Sequence, residues 1–151
     1  MESKHNFCEF KHNFCESKLN NGNPPELWNA YTSIIISVFP FIFGFPEYHS
    51  FYSVGLMFAF NGIASFHYHY CLDWFGKQAD EISMILANYF GLCGLIRLYW
   101  NDSRKRNRIN EINTTFMYFF LIINTFQHLD FIFPHLFGVY VCGTIYMIIL
   151  K

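Results

Sequence analysis

Charged residues are scarce in this chain. Only 14% of its 151 residues are Asp, Glu, Lys or Arg, whereas 53% are hydrophobic and twenty are Phe. Soluble domains carry about a quarter charged residues, so this composition favours a membrane protein. The net charge of -1 says nothing about nucleic acid. The basic run RKRNR (104–108) lies beside an apolar segment and is interpreted as a topogenic, lipid-facing cluster, so no nucleic-acid partner is predicted.

The alternation of polar and apolar residues that is typical of barrel strands is also missing. The chain instead has continuous apolar runs, each close to the roughly 20 residues that a helix needs to cross a hydrocarbon core. The runs are 27–46, 50–71, 82–100, 112–128 and 131–150. The sequence therefore predicts an all-α, polytopic transmembrane helix bundle over 27–151, preceded by a polar segment, 1–26.

No apolar stretch occurs in the polar segment, so no signal peptide is expected and the first span would act as its own insertion signal. Lys and Arg near span ends are retained on the cytoplasmic side. The basic cluster NDSRKRNR (101–108) follows the third span, which predicts a lumenal N-terminus and a lumenal 72–81 loop. The sequon NTT (113–115) should then stay unmodified, because it lies on the cytosolic side.

The polar segment contains a tandem repeat: KHNFCEF (4–10) returns as KHNFCES (11–17). Cys2His2 is a known zinc ligand set, so a zinc knuckle is one interpretation of the repeat. The ligands are crowded together without the long loop that such modules enclose, which counts against a zinc knuckle. These ligands would be His5, Cys8, His12 and Cys15.

The second span carries polar residues every four positions, which places Asn61, Ser65, His69 and Asp73 on one predicted helix face. Asp80, together with Glu81, opens the third span. A hydroxyl, an imidazole and a carboxylate at one membrane depth can bind a metal and handle protons. From spacing alone an ordinary interfacial role stays open, because a membrane boundary tolerates His, Tyr, Trp and Asp.

Three segments together resemble the alkaline ceramidases, which are membrane-embedded hydrolases in a superfamily of seven-span proteins. The segments are FCES (14–17), PELWNAYTS (25–33) and SFHYHYCLDWFGKQADEISM (65–84). The family pattern has a Ser, three residues, a His, and an Asp eleven positions after that His. Ser65, His69 and Asp80 match these separations, whereas His67 does not.

The resemblance implies hydrolysis of the amide bond of ceramide-type sphingolipids by zinc-activated water, in an endoplasmic reticulum or Golgi membrane. His69 would be a zinc ligand, Asp80 the acid–base group and Ser65 the group that stabilises the oxyanion or orients water. The partner implied is a membrane lipid of the ceramide type.

The resemblance also implies a calcium site in the N-terminal segment, for which oxygen ligands are suited. The second repeat copy aligns with the family stretch, and the corresponding residues are Asn13, Glu16 and Glu26. Asn13 stands where the family has an acid, and Lys18 places a positive charge where an oxygen ligand belongs. These departures weaken the calcium site.

The family's remaining two zinc ligands form a His-x-x-x-His, which is missing here. The residue four before His135 is Phe131, and the one four after His128 is Ile132. Three hypotheses follow. The chain is an active hydrolase, using His128 and His135 or a second polypeptide that supplies missing spans. It is a truncated, inactive relative with an interaction role. In the third hypothesis the fold is reused for receptor-like sensing of lipids.

Overall fold

The computed structural model describes residues 26–126 and 132–149, without the side chains of 147 and 148. Every regular element in these residues is an α-helix, which confirms the all-α prediction. The helices are α1 (Leu27–Phe43), α2 (His49–Cys71), α3 (Trp74–Tyr99), α4 (Ser103–Asn124) and α5 (Phe133–Ile149). The tandem repeat, Asn13, Glu16 and His128 lie outside the described residues.

Two helices begin earlier than the apolar runs that predict them, because carboxylates cap their N-termini. Asp73 accepts a hydrogen bond from Gly76 N at 2.8 Å, so α3 begins at Trp74, whereas the apolar run begins only at 82. Asp102 accepts one from Arg104 N at 2.9 Å and starts α4. The basic cluster therefore lies largely on the first turns of a helix and not in a loop.

The helix face predicted from four-residue spacing stops short of Asp73. α2 ends at Cys71, and Leu72 adopts a left-handed conformation with φ 52°. Asp73 then belongs to the start of α3 and lies 3.0 Å from Nε2 of His67. The prediction that Asp73 shares a face with Ser65 and His69 is wrong, because the chain turns before reaching it.

The helices pack mainly against their sequence neighbours, α1 against α2, α2 against α3, and α3 against α4, while α5 contacts α3 and α4. The α1–α2 contact is close. A Cβ atom placed on Gly62 would lie 2.6 Å from the carbonyl oxygen of Ser33. Ser37 Oγ donates to the Ala59 carbonyl across the same interface at 2.9 Å. A second, apolar core joins α3, α4 and α5 through Ile85, Met117, Phe120 and Phe133.

Large apolar side chains cover much of the outer surface, and on α1 the exposed fractions of Ile42 and Phe43 reach 70% and 72%. Among the residues described, α3 alone is long and apolar enough to cross a membrane, and α1 is apolar but shorter. The core helix of a soluble protein passes the same test, so the number of spans stays a prediction.

The fold affects the use of the sequon NTT (113–115) as a test of topology. Asn113 lies within α4 with only 3% of its surface exposed. Its side chain donates to the Tyr89 carbonyl at 3.3 Å and bonds the Tyr140 hydroxyl through Oδ1. In the folded protein this buried amide is out of reach of an oligosaccharyltransferase on either side of a membrane, so an unmodified Asn113 does not by itself identify the cytosolic side.

Candidate functional site

The polar end of the bundle is built from the beginning of α1, the end of α2 and the beginning of α3. Contacts between antiparallel neighbours bring these parts together, because Ser33 pairs with Ser65 and Asn61 with Asp80. Buried polar side chains concentrate here. They include Glu26, Ser33, Asn61, Ser65 and Ser83.

Asp80 lies at the centre of this cluster. Asn61 Nδ2 donates to Oδ1 of Asp80 at 2.8 Å and to Ser83 Oγ at 2.9 Å. Ser83 Oγ in turn donates to the main-chain carbonyl of Asp80 at 2.6 Å. The Ser65 side chain and His69 both lie near enough to the same carboxylate to interact with it electrostatically. The three residues Ser65, His69 and Asp80 are thus brought together across the α2–α3 interface.

A serine from α1 fixes the Ser65 hydroxyl from the other side. Ser33 Oγ lies 3.0 Å from Ser65 Oγ and 2.7 Å from the Asn29 carbonyl oxygen. Both serines are buried. The hydroxyl of Ser65 therefore sits between α1 and the Asp80 carboxylate, held by groups from two other helices.

His69 is held by a buried carboxylate. Nδ1 of its ring lies 2.5 Å from Oε2 of Glu26, whose side chain is fully buried. Asn29 Nδ2 donates to the same oxygen at 3.2 Å, and Oε1 of Glu26 has no hydrogen-bond partner among the residues that the structure describes. Glu26, predicted from the resemblance as a calcium ligand, thus contacts the histidine predicted as a zinc ligand; calcium binding itself stays a prediction.

His69 shows how far the described residues could hold a zinc ion. A metal-bound histidine typically gives its second ring nitrogen to a carboxylate, which is the arrangement of His69 and Glu26. His69 therefore fits as one zinc ligand. Over 26–126 and 132–149 no group of three or more His, Cys, Asp and Glu could hold a metal ion. His135 is exposed on α5, and His128 lies outside these ranges.

Each of the three residues in this cluster can take a different chemical role. Asp80 can accept and return a proton, Ser65 can donate a hydrogen bond, and the second nitrogen of His69 can bind a metal or a proton. Together the fold and the cluster define an all-helical, apolar protein with a partly buried hydroxyl–imidazole–carboxylate site.

The chain belongs to the ceramidase family. The family model described as Ceramidase matches residues 1–151, the whole of the sequence. Comparison with curated proteins and with solved structures finds no significant match. Membership in this family supports a ceramidase-like function and implies a ceramide-type lipid as the substrate. The individual roles of Ser65, His69 and Asp80 stay predictions.

Proposed function

We propose that this protein is a membrane-embedded hydrolase that cleaves the amide bond of ceramide-type sphingolipids at the Ser65, His69 and Asp80 cluster. One observation carries the proposal: a hydroxyl, an imidazole and a carboxylate from two neighbouring helices meet at one partly buried position in a chain of the ceramidase family. The products would be a fatty acid and a sphingoid amine, with one water consumed.

Asp80 supplies the proton transfers in this proposal. Amide hydrolysis needs a water molecule to lose a proton as its oxygen bonds to the carbonyl carbon, and the nitrogen to gain one as the C–N bond breaks. The Asp80 carboxylate takes the first proton and returns it to the leaving nitrogen. Asn61 holds the carboxylate in place through the 2.8 Å bond to Oδ1.

Ser65 supplies a donor for the negative charge that develops on the carbonyl oxygen. A hydroxyl has one proton to donate and can also accept hydrogen bonds. Ser33 gives its single proton to the Asn29 carbonyl oxygen, 2.7 Å from Ser33 Oγ, so Ser33 Oγ can accept from Ser65 Oγ, 3.0 Å away. In this proposal the Ser65 proton turns from Ser33 to the substrate oxygen.

When bound, zinc would polarise the carbonyl and lower the pKa of a bound water. His69 is the described residue that would hold it. In this proposal the remaining ligands come from His128 and His135 or from a second polypeptide. We expect zinc analysis of the His128→Ala and His135→Ala variants to separate these sources, since zinc is lost from both variants only in the first case.

The apolar outer surface supports the membrane part of the proposal. Outward-facing side chains on α1, such as Ile35, Phe41 and Phe43, are more than half exposed, and lipid would cover them favourably. α3 has the length and composition of a membrane-crossing helix. We propose an endoplasmic reticulum or Golgi membrane, with the N-terminus and the Asp80 cluster on the lumenal side.

The first test is hydrolysis of a fluorescent ceramide by the detergent-purified protein, together with its zinc content. We expect turnover and bound zinc, both lost in His69→Ala and both retained in His49→Ala, a change at an exposed histidine at the start of α2. An inactive lipid-sensing or interaction relative would bind the ceramide without releasing product. Absence of product from the parent protein would refute the hydrolase proposal.

Asn61→Ala should lower turnover by up to about 100-fold, because Asp80 loses the donor that positions its carboxylate. The substrate should still bind, so kcat should fall more than KM rises. Asn107→Ala is the matched control, since Asn107 is exposed on α4. Equal turnover in the two variants would show that Asn61 does not position Asp80.

A further inference from the structure

Glu26 has a fully buried carboxylate, and capping of helix α1 does not explain this burial. It stands at the N-cap position of α1, yet its side chain makes no cap hydrogen bond. Its backbone carbonyl accepts from Ala30 N at 2.9 Å, as any residue at this position would. The carboxylate is directed instead to His69, 43 residues later in the sequence, with its Oε2 2.5 Å from Nδ1.

This contact dictates where the imidazole carries its proton. An ionised carboxylate only accepts hydrogen bonds, so Nδ1 of His69 must be the protonated nitrogen. A neutral imidazole then has its lone pair on Nε2. Asn29 Nδ2 donates to the same Oε2 at 3.2 Å, which fixes the orientation of the carboxylate that faces the ring.

The neighbouring His67 is an internal comparison with the opposite geometry. Its Nε2, and not its Nδ1, lies 3.0 Å from a carboxylate, that of Asp73, and the His67 side chain is 48% exposed. His69 is much less exposed, at 19%. Two histidines separated by one residue are therefore held by carboxylates at different ring nitrogens.

We propose that Glu26 is a positioning residue, which holds His69 as the Nδ1-protonated form and leaves Nε2 free to bind a metal or a proton. The purpose of this positioning rests on the proposed function, because a free Nε2 on His69 is needed for hydrolysis. The contact to His69 is independent of any reaction. It also gives Glu26 a role besides the calcium ligation that the resemblance implies.

The test is the tautomeric state of His69, measured by long-range ¹H–¹⁵N correlation on histidine-labelled, full-length protein in detergent. The measurement is made at about pH 9, where an ordinary histidine is neutral. The His69→Gln variant assigns the His69 signals. We expect the Nδ1-protonated form to predominate for His69 and the Nε2-protonated form for His67.

Replacement of Glu26 should release His69 from this state. In Glu26→Gln the amide can donate as well as accept, so the constraint on Nδ1 is relaxed, and in Glu26→Ala it is removed. The Nδ1-protonated form should fall from the predominant form to a minor one in both variants. Glu47→Gln is the matched control at an exposed glutamate, and it should leave the His69 tautomer unchanged. The His67 signals should stay the same in all these variants.

A purely structural role for Glu26 predicts a different result: lower thermal stability with an unchanged His69 tautomer. That result in Glu26→Gln, or an Nε2-protonated His69 in the parent protein, would overturn the proposal. Glu26→Gln is nearly isosteric and keeps the measurement interpretable if Glu26→Ala does not fold. A tautomer shift without ceramide turnover would refute the hydrolase and leave the positioning role established, so the two failures are distinguishable.

Discussion

We expect Asp80→Asn to remove most of the ceramide hydrolysis without unfolding the bundle. Asparagine has nearly the shape of aspartate, and its Oδ1 can still accept from Asn61 Nδ2. It cannot take a proton from water, so general acid–base catalysis is lost. We expect turnover to fall by about 10²- to 10⁴-fold, measured as release of fluorescent fatty acid, with unchanged helical circular dichroism.

The matched control for this variant is Asp102→Asn. Asp102 is exposed and caps α4 by accepting from Arg104 N at 2.9 Å. Asparagine is about as good as aspartate at an N-cap, so stability and turnover should both be retained. Residual turnover in Asp80→Asn close to that of Asp102→Asn would exclude Asp80 as the acid–base group and move the search to His69.

The largest effect on stability is expected from Gly62→Ala. The added Cβ would lie 2.6 Å from the Ser33 carbonyl oxygen and equally close to the Ser37 Cβ. Because part of this obstacle is backbone, α1 and α2 must separate, which we expect to cost about 1–3 kcal/mol in free energy of unfolding. Separation would also break the Ser33–Ser65 contact, so turnover should fall together with stability.

Gly143→Ala is the matched control, since no described atom outside its own helix backbone lies within 4 Å of the Cβ it would add. Alanine favours helix over glycine by up to about 1 kcal/mol, so this variant should be as stable as the parent or slightly more stable. Denaturation titrated in mixed detergent micelles measures both variants. Equal stability of the two variants would show that α1 and α2 do not approach closely at Gly62.

Much of the cluster could be predicted from local spacing. Four-residue steps placed Asn61, Ser65 and His69 on one face, and this prediction is confirmed because all three contact the Asp80 region or its partners. The eleven-residue spacing between His69 and Asp80 was recognised as meaningful only through the family resemblance. Hydropathy found the helices but misplaced the start of α3, because Lys77, Asp80 and Glu81 interrupt the apolar run.

Other features of the cluster were missed. Nothing in the spacing links Glu26 to His69. Ser33 was not recognised as a partner of Ser65, although Asn29, Ser33 and Ser37 recur every four residues along α1 and mark the face that packs on α2. Asp73 was assigned to the wrong face because the turn before it uses Leu72 at positive φ. Glycine usually marks such a turn, so a leucine there gives no warning.

The antiparallel contacts among α1, α2 and α3 have a consequence for biogenesis. All the described side chains that meet around Asp80 lie between Glu26 and Ser83. The ribosome therefore completes this part of the chain before it begins α4. Assembly of the cluster can start during translation, while the later helices are still being made, and a defect at Gly62 would be exposed to quality control at that early stage.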